Sequence, residues 1–387
     1  MSEYFKKVPI RGRGSLENLP NRFEKRRYEH EDGDFVDRDG GFAPAANPAN
    51  LQDEGFASAA NPANLQDEGF ASASPKTQIF ADHSKTIINF NDSPDIGFDA
   101  SINPYRGCEH GCIYCYARPT HEWLGMSPGL DFETKIFVKY EAPKLLREEL
   151  AKDKWEPQPL AISGVTDCYQ PIERELKITR QCLEVLADFR NPYGIVTKNH
   201  LVTRDIDIHK QMADLDGCMI YITITSLDPE LTAILEPRTS RPARRLEAVR
   251  MLTEAGVPVG ILIAPTIPGL NDHEVPAILE AASKAGAEWA GYVPLRLPLA
   301  VGPLFTQWLE THRPDSKEKI LERIRDLRGG KLNDSNFGSR MRGQGAYAEQ
   351  IKNVFRVYAK RYGFNQRERE TTTKYFRRLK PQMSFFE

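Results

Sequence analysis

Three thiols within eight residues are the sharpest chemical feature of this chain. Cys108, Cys112 and Cys115 lie in INPYRGCEHGCIYCYAR (102–118), while the other three cysteines, Cys168, Cys182 and Cys218, are scattered. The spacing is C-x3-C-x2-C, and Gly107 and Gly111 let the backbone fold around a ligand. Thiolates are the ligands of iron–sulfur clusters, and four irons held by three cysteines leave one iron open for a substrate or cofactor. A structural zinc site would need a fourth ligand, for which His110 is the local candidate, and such sites usually draw on two separated pairs. Three structural thiols buried in a core are the third reading, although a loop of Gly, Glu, His and Tyr is a poor place to bury them.

Such a loop needs a frame, and the sequence from about Lys85 supplies one. Short β-branched runs alternate with longer stretches of helical period, the pattern of βα units around a parallel sheet. The strand candidates are KIFVKY (135–140), LAISGV (160–165), YGIVTK (193–198), MIYITIT (219–225), VGILIAP (259–265) and GYVPLRL (291–297). Between them lie PKLLREELAK, RELKITRQCLEVLADF, RPARRLEAVRMLTEAG and EVPAILEAASKAG, two of which end at the Gly expected just past a helix. Six units predict an α/β fold built as a partial barrel, with an open doubly wound sheet as the competitor. In barrels the functional groups sit in the loops that leave the C-terminal ends of the strands. Here those loops carry Thr166, Asp167 and Cys168, then Lys198, then Ser226 and Asp228, then Ala264.

The flanks differ from this frame. Residues 1–84 read as a basic arm followed by a duplicated linker, GFAPAANPANLQDE from Gly41 and GFASAANPANLQDE from Gly55, too short and polar for a solenoid repeat. Residues 85–330 form the barrel and 331–387 a helical basic extension. Residues 351–387 hold ten Lys or Arg against three acidic residues, interleaved with Phe and Tyr. That composition suits a nucleic-acid surface, and equally an amphipathic helix packed on the barrel with its charges in water. The net charge of −2 and 40% hydrophobic residues describe an ordinary globular protein. With no apolar run near 18 residues and no secretory core in MSEYFKK, the expected compartment is the cytoplasm and no membrane partner is expected.

C-x3-C-x2-C with an aromatic before the third cysteine resembles the signature of the radical S-adenosylmethionine (SAM) superfamily. The likeness runs over roughly residues 100–300 and is closest to the spore photoproduct lyase and DNA repair photolyase branch. It is carried by NPYRGCEHGCIYCYAR, SGVTDCYQPIERELKITRQCLEVL, VTKNHLVTRDIDI and LEPRTSRPARRLEAVRMLTEAG. The resemblance implies a partial (β/α)6 barrel, a 4Fe-4S cluster on Cys108, Cys112 and Cys115, and S-adenosyl-L-methionine bound at the open iron. One electron, from an external donor of flavodoxin or ferredoxin type, would then give a 5'-deoxyadenosyl radical that abstracts a hydrogen from the substrate. By position, Tyr114 and Tyr116 flank the adenine and cluster, Thr166 meets the methionyl amino group and Lys198 its carboxylate, with Thr223 near the ribose and Ala264 near the adenine. Asp167 orients substrate or caps a helix.

Spore photoproduct lyases are understood to return a hydrogen from a cysteine at the place matched here by Val165. The nearest thiol is Cys168, past the Thr166-Asp167 pair, which is expected near the substrate pocket as a hydrogen donor. The implied substrate is a nucleic-acid lesion or base. The reading from another class is a non-catalytic zinc or iron–sulfur module that docks on nucleic acid through the basic tail.

Overall fold

Six strands line up in chain order, all parallel. In the computed structural model, which describes residues 9–23 and 75–379, these are β3 (Ala100–Ile102), β6 (Leu160–Ile162), β7 (Tyr193–Thr197), β8 (Cys218–Thr223), β9 (Val259–Thr266) and β10 (Trp289–Pro294). β2 (Ile88–Phe90) adds antiparallel to β3, so the order is β10-β9-β8-β7-β6-β3-β2 and the sheet ends on β10 and β2 without closing. This is the partial (β/α)6 arrangement. A small second sheet orders β1 (Gln78–Ala81), β5 (Lys135–Val138) and β4 (Tyr105–Arg106) as β1-β5-β4. KIFVKY therefore belongs to the side sheet. The first barrel strand is β3, whose three residues are too few to show a period.

The strands alternate as a half-covered sheet must. Leu160, Ile162, Tyr193, Ile195, Ile220, Ile222, Ile261 and Ile263 are buried, whereas Ala161, Gly194, Val196, Tyr221 and Leu262 keep some exposure on the concave side. Helices α2 (Ala142–Ala151), α4 (Ile178–Phe189), α5 (Ile206–Ala213), α7 (Pro242–Glu254) and α8 (Val275–Lys284) cover the convex side, while α1 (Leu130–Thr134) packs on the side sheet, α3 (Glu173–Leu176) leads into α4 and α6 (Pro229–Leu235) packs on the cysteine loop. In α4, Ile178, Cys182, Leu183, Val185, Leu186 and Phe189 fall on one buried stripe. α7 starts with Pro242 at its first position, and α7 and α8 are followed by Gly256 (φ 81°) and Gly286 (φ 98°), the left-handed conformations that favour glycine. After β10 come α9 (Val301–His312), α10 (Lys317–Leu327), α11 (Ser339–Arg342) and α12 (Gly345–Arg361). No described helix is long and apolar enough to cross a membrane.

The N-terminal flank departs from the sequence expectation, while α12 is the amphipathic helix packed on the barrel. Residues 9–23, expected as part of a free tail, pack on the barrel with Arg13, Ser15 and Asn21 buried; the duplicated linker (41–68) lies outside the described residues. At the other end the chain leaves α12 and runs beneath the N-terminal ends of the strands. Asn365 N–H donates to Glu288 O (3.0 Å) and Thr372 N–H to Asp216 O (3.0 Å). Arg369 pairs with Asp216 (2.7 Å), and Arg377 Nε donates to Asp188 O (2.6 Å). Arg378 donates to the carbonyls of Leu150 (3.3 Å), Lys152 and Trp155 (2.9 Å). Three arginines of the basic end are thus engaged with the protein itself.

Candidate active site

The C-terminal ends of the six strands share one rim, and the cysteine loop leaves the first of them. Gly107 (φ 78°) and Gly111 (φ 66°) turn the loop. A Cβ on Gly107 would lie 2.9 Å from Lys135 O, and one on Gly111 would lie 2.7 Å from Glu133 Oε2, so neither position admits a side chain. The residues between the cysteines are anchored one by one. Glu109 accepts from Thr77 Oγ1 (2.7 Å) and from Ile172 N–H (2.7 Å), and pairs with Arg238 (2.9 Å). His110 Nδ1 stands 3.3 Å from Asp167 Oδ2, and its Nε2 lies 3.1 Å from Asn199 Nδ2. Ile113 N–H donates to Leu235 O (3.1 Å).

The cysteines themselves are all free thiols, Cys108 and Cys112 buried and Cys115 half-buried. Burial pushes each thiol's pKa up, the usual response to taking a charge out of water. Against it work backbone N–H groups, that of His110 toward Cys108 and those of Ala117 and Arg118 toward Cys115. Amides directed at sulfur favour the thiolate, the form that binds metal. Among the described residues no three His, Cys, Asp or Glu side chains are grouped to hold one metal ion. A zinc ion needs all its donors about 2.3 Å or less from one point, whereas in an iron–sulfur cluster each thiolate meets its own iron. The three thiols lie close enough to raise one another's pKa, a set of soft donors of the kind an iron–sulfur cluster would take.

Across from the cysteines, Lys198 follows the last residue of β7. It is half-buried, its Nζ lies 5.8 Å from the Tyr114 ring centroid, and no carboxylate among the described residues pairs with it. Tyr114 is buried, and its hydroxyl donates to the carboxylate of Glu236, which also accepts from Thr225 Oγ1 (2.5 Å). Glu236 and Arg245 form an ion pair with no exposure on either side chain. Arg245 also donates to Ser240 O (2.7 Å) and Thr223 O (3.1 Å), so it ties the start of α7 to the end of β8. Burial opposes the charge on Glu236, and Arg245 and then Lys198 outweigh it, holding the carboxyl below its usual range. Neither Glu236 nor Arg245 stands out in the sequence; they lie nine residues apart with no shared pattern, inside LEPRTSRPARR.

Asp167 is a hub. Its carboxylate accepts from Thr197 Oγ1 (2.7 Å), Tyr169 N–H (2.9 Å) and Lys198 N–H (2.8 Å). Burial raises its pKa, but the contact with His110 and these bonds win and bring it to about 2. Thr166 is buried and spends its hydroxyl on Tyr105 O (3.0 Å). Thr223 is buried at the end of β8, and Ala264, half-buried, accepts from Thr225 Oγ1 (3.3 Å). Tyr116 points outward, 52% exposed, and donates to Gly164 O (2.8 Å). Gly164 lines a cavity of about 440 Å³ on the concave face, with Ala161, Gly194, Val196 and Tyr221 along the strands and Arg369 to Thr371 at the far end.

Cys168 does not border that cavity. Its side chain has no exposure, it sits in the main core, and its backbone is pinned by Ser163 Oγ (2.8 Å) and Thr179 Oγ1 (2.7 Å). Cys168, expected near the substrate pocket, is one hydrogen bond from that cavity through Ser163, which lines it, while the thiol itself is turned into the core.

The Radical SAM superfamily model matches residues 102–282. An uncharacterised protein of Mycobacterium tuberculosis is 32% identical over 232 residues, which are 59% of this chain and 67% of that protein. An uncharacterised protein of Methanocaldococcus jannaschii is 32% identical over 199 residues, 51% of this chain and 71% of that protein. Among solved structures, spore photoproduct lyase complexed with dinucleoside spore photoproduct superposes with a TM-score of 0.55 at 17% identity, covering 74% of this chain and 80% of that one. A mutant of the same enzyme with bound AdoMet and dinucleoside spore photoproduct gives 0.55 at 16% identity. Matched through the cysteine loop and the strands β6 to β9, and 32% identical to a relative over 67% of that relative's length, the chain belongs to the radical SAM superfamily.

Proposed function

We propose that this protein is a radical S-adenosylmethionine enzyme with a 4Fe-4S cluster on Cys108, Cys112 and Cys115, acting on a nucleic-acid base or lesion. One observation carries the reading. Three free thiols with amides directed at two of them share a rim with a half-buried lysine that forms no ion pair with a carboxylate among the described residues. When bound, the cluster and S-adenosylmethionine supply one-electron cleavage of the sulfonium and a 5'-deoxyadenosyl radical. The protein's own groups do the rest. Lys198 offers its ammonium to a carboxylate, a charge-assisted contact that half-burial strengthens. Asp167 fixes the backbone at Lys198 and the imidazole of His110, so the two faces of the site keep their spacing. Tyr114, locked by Glu236, offers a flat apolar surface, and the backbone at Thr223 and Ala264 would hold the cofactor's nucleoside.

The superfamily generally needs an electron donor, which we take to be a flavodoxin or ferredoxin. Support for a nucleic-acid substrate comes from the likeness to an enzyme solved with dinucleoside spore photoproduct, not from the basic C-terminus, whose Arg369, Arg377 and Arg378 are engaged internally. The test is anaerobic reconstitution with iron and sulfide. A brown protein with about four irons that cleaves S-adenosylmethionine under dithionite, with deuterium passing from labelled oligonucleotides into 5'-deoxyadenosine, supports the reading. A colourless protein with stoichiometric zinc sinks it.

A further inference from the structure

The N-terminal segment RGRGSLENLPNRF (11–23) has no part in the chemistry just described, yet it touches the cysteine loop directly. Gly14 lies so close to the loop that a Cβ there would stand 1.8 Å from Gly111 O and 3.3 Å from Ile113 N. Gly111 is the residue before Cys112. Beneath the contact sits Glu133, a carboxylate with no exposure. Its two oxygens accept from Gly14 N–H (2.9 Å) and Ser15 N–H (2.9 Å), and it pairs with Arg118. Arg118, equally buried, donates in turn to Gly111 O (3.1 Å) and Cys112 O (3.0 Å).

Gly14, Glu133, Arg118 and Gly111 therefore interlock. Arg13 completes the grip, donating to Glu133 O (2.8 Å) and to Pro75 O (2.6 Å), where the chain re-enters the described structure. Further along, Asn21 Nδ2 donates to Glu122 O (2.9 Å) and Arg22 pairs with Glu122 (3.2 Å), on the short helix that follows Cys115. The segment thus meets the cysteine loop before Cys112 and the turn after Cys115.

We propose that residues 11–23 are a clasp that positions the cysteine loop, with Gly14 as its closure point. The physical case is burial. Without the clasp Glu133 loses two of its hydrogen bonds and faces water, and the Arg118 pair that holds the carbonyls of Gly111 and Cys112 is loosened. Only glycine can sit at position 14, since any side chain must displace the Gly111 carbonyl or lift the segment away. The clasp holds the backbone geometry in which the thiols meet iron, and it excludes solvent from that backbone. This function rests on the cluster reading above, but the contacts stand without it.

The test is Gly14→Val, beside a chain lacking residues 1–23, each compared with the wild-type protein. In the apo protein, thiol alkylation is followed by mass spectrometry at each cysteine, with Cys182 and Cys218, both buried in the core, as internal references. Labelling of Cys108 and Cys112 is expected to accelerate about tenfold or more, the loss of two hydrogen bonds to a buried carboxylate, while Cys182 and Cys218 keep their wild-type rates. In the reconstituted protein, the iron absorption is expected to bleach faster in air by a similar factor. Unchanged labelling of Cys108 and Cys112 overturns the proposal, and so does equal acceleration at all the cysteines, which would make the segment a general part of the fold. Should the wild-type chain take up no iron, the cluster reading falls and the labelling still decides the clasp.

Discussion

The two ends of the barrel both gather charged and aromatic residues, and they use them in opposite ways. Beneath the strands, Arg369, Arg377 and Arg378 are each matched to a carboxylate or to backbone carbonyls. On the rim, Lys198 faces Tyr114 and acts on Glu236 only through space, forming no ion pair with a carboxylate among the described residues. A cation satisfied by the protein holds the fold. One left half-buried without an ion-pair partner costs stability and is retained where a ligand completes it. Partner lists therefore separate structural from functional charge, which composition cannot do.

The largest effect tests the rim directly. Cys112→Ala should abolish iron retention and lower S-adenosylmethionine cleavage by about 100-fold or more, since losing a ligand exceeds the 10- to 100-fold cost of losing a residue that merely supports one. Iron per chain after anaerobic desalting and the rate of 5'-deoxyadenosine formation are the measurements. A variant that keeps wild-type iron and rate would remove the loop from the chemistry and erase the contrast between the two ends.

Next in size is Lys198→Ala. Loss of a charge-assisted contact is worth about 1.5 to 3 kcal/mol, or roughly 10- to 100-fold in S-adenosylmethionine affinity, with iron content unchanged. Equilibrium binding to the reconstituted protein reads it. Unaltered affinity would make Lys198 an ordinary surface charge, like those its sequence context resembles.

Much of this was legible beforehand, for reasons that are local. The cysteine spacing is a ligand pattern within one turn of chain, and β7, β8 and β9 each carry enough β-branched residues to show themselves. What escaped was pairing at a distance. β3 is three residues long and is defined by its neighbours β2 and β6. KIFV at 135–138 has strand composition, but only its pairing with β1 and β4 assigns it to the side sheet. The arm around Gly14 binds through backbone amides, which leave no mark on residue type, and Glu236 finds Arg245 only once α6 and α7 fold against each other. The burial of the Cys168 thiol escaped for the same reason, since a turn decides which way a thiol faces.

Between the two ends, the helix layer offers a pH test that should move stability and not cofactor affinity. His209 is fully buried on α5, between Tyr193 Oη (2.9 Å from Nδ1) and Tyr169 Oη (3.2 Å from Nε2). Burial lowers its pKa from 6.5 to about 4. The native ring thus stays neutral while the unfolded chain takes up a proton as pH falls below 6.5. Stability is intact above that value and declines toward pH 4, by about 3 kcal/mol in all. His209→Gln should lose that part of the slope, measured by urea unfolding at pH 7 and pH 5. An identical slope in the variant would show that the ring is not the group responsible.

The smallest expected effect probes the lower end. Arg378 is half-buried and donates to three backbone carbonyls in the segment before β6. Arg378→Ala should cost about 1 to 2 kcal/mol, because those carbonyls turn to water while a charged donor is lost. Iron content and S-adenosylmethionine affinity should stay at wild-type values. Duplex and single-stranded DNA retention should not change either, since the guanidinium is already committed to the protein. Loss of DNA retention with unaltered unfolding would reverse the assignment, making the lower end a ligand surface and the comparison between the two ends one of degree only.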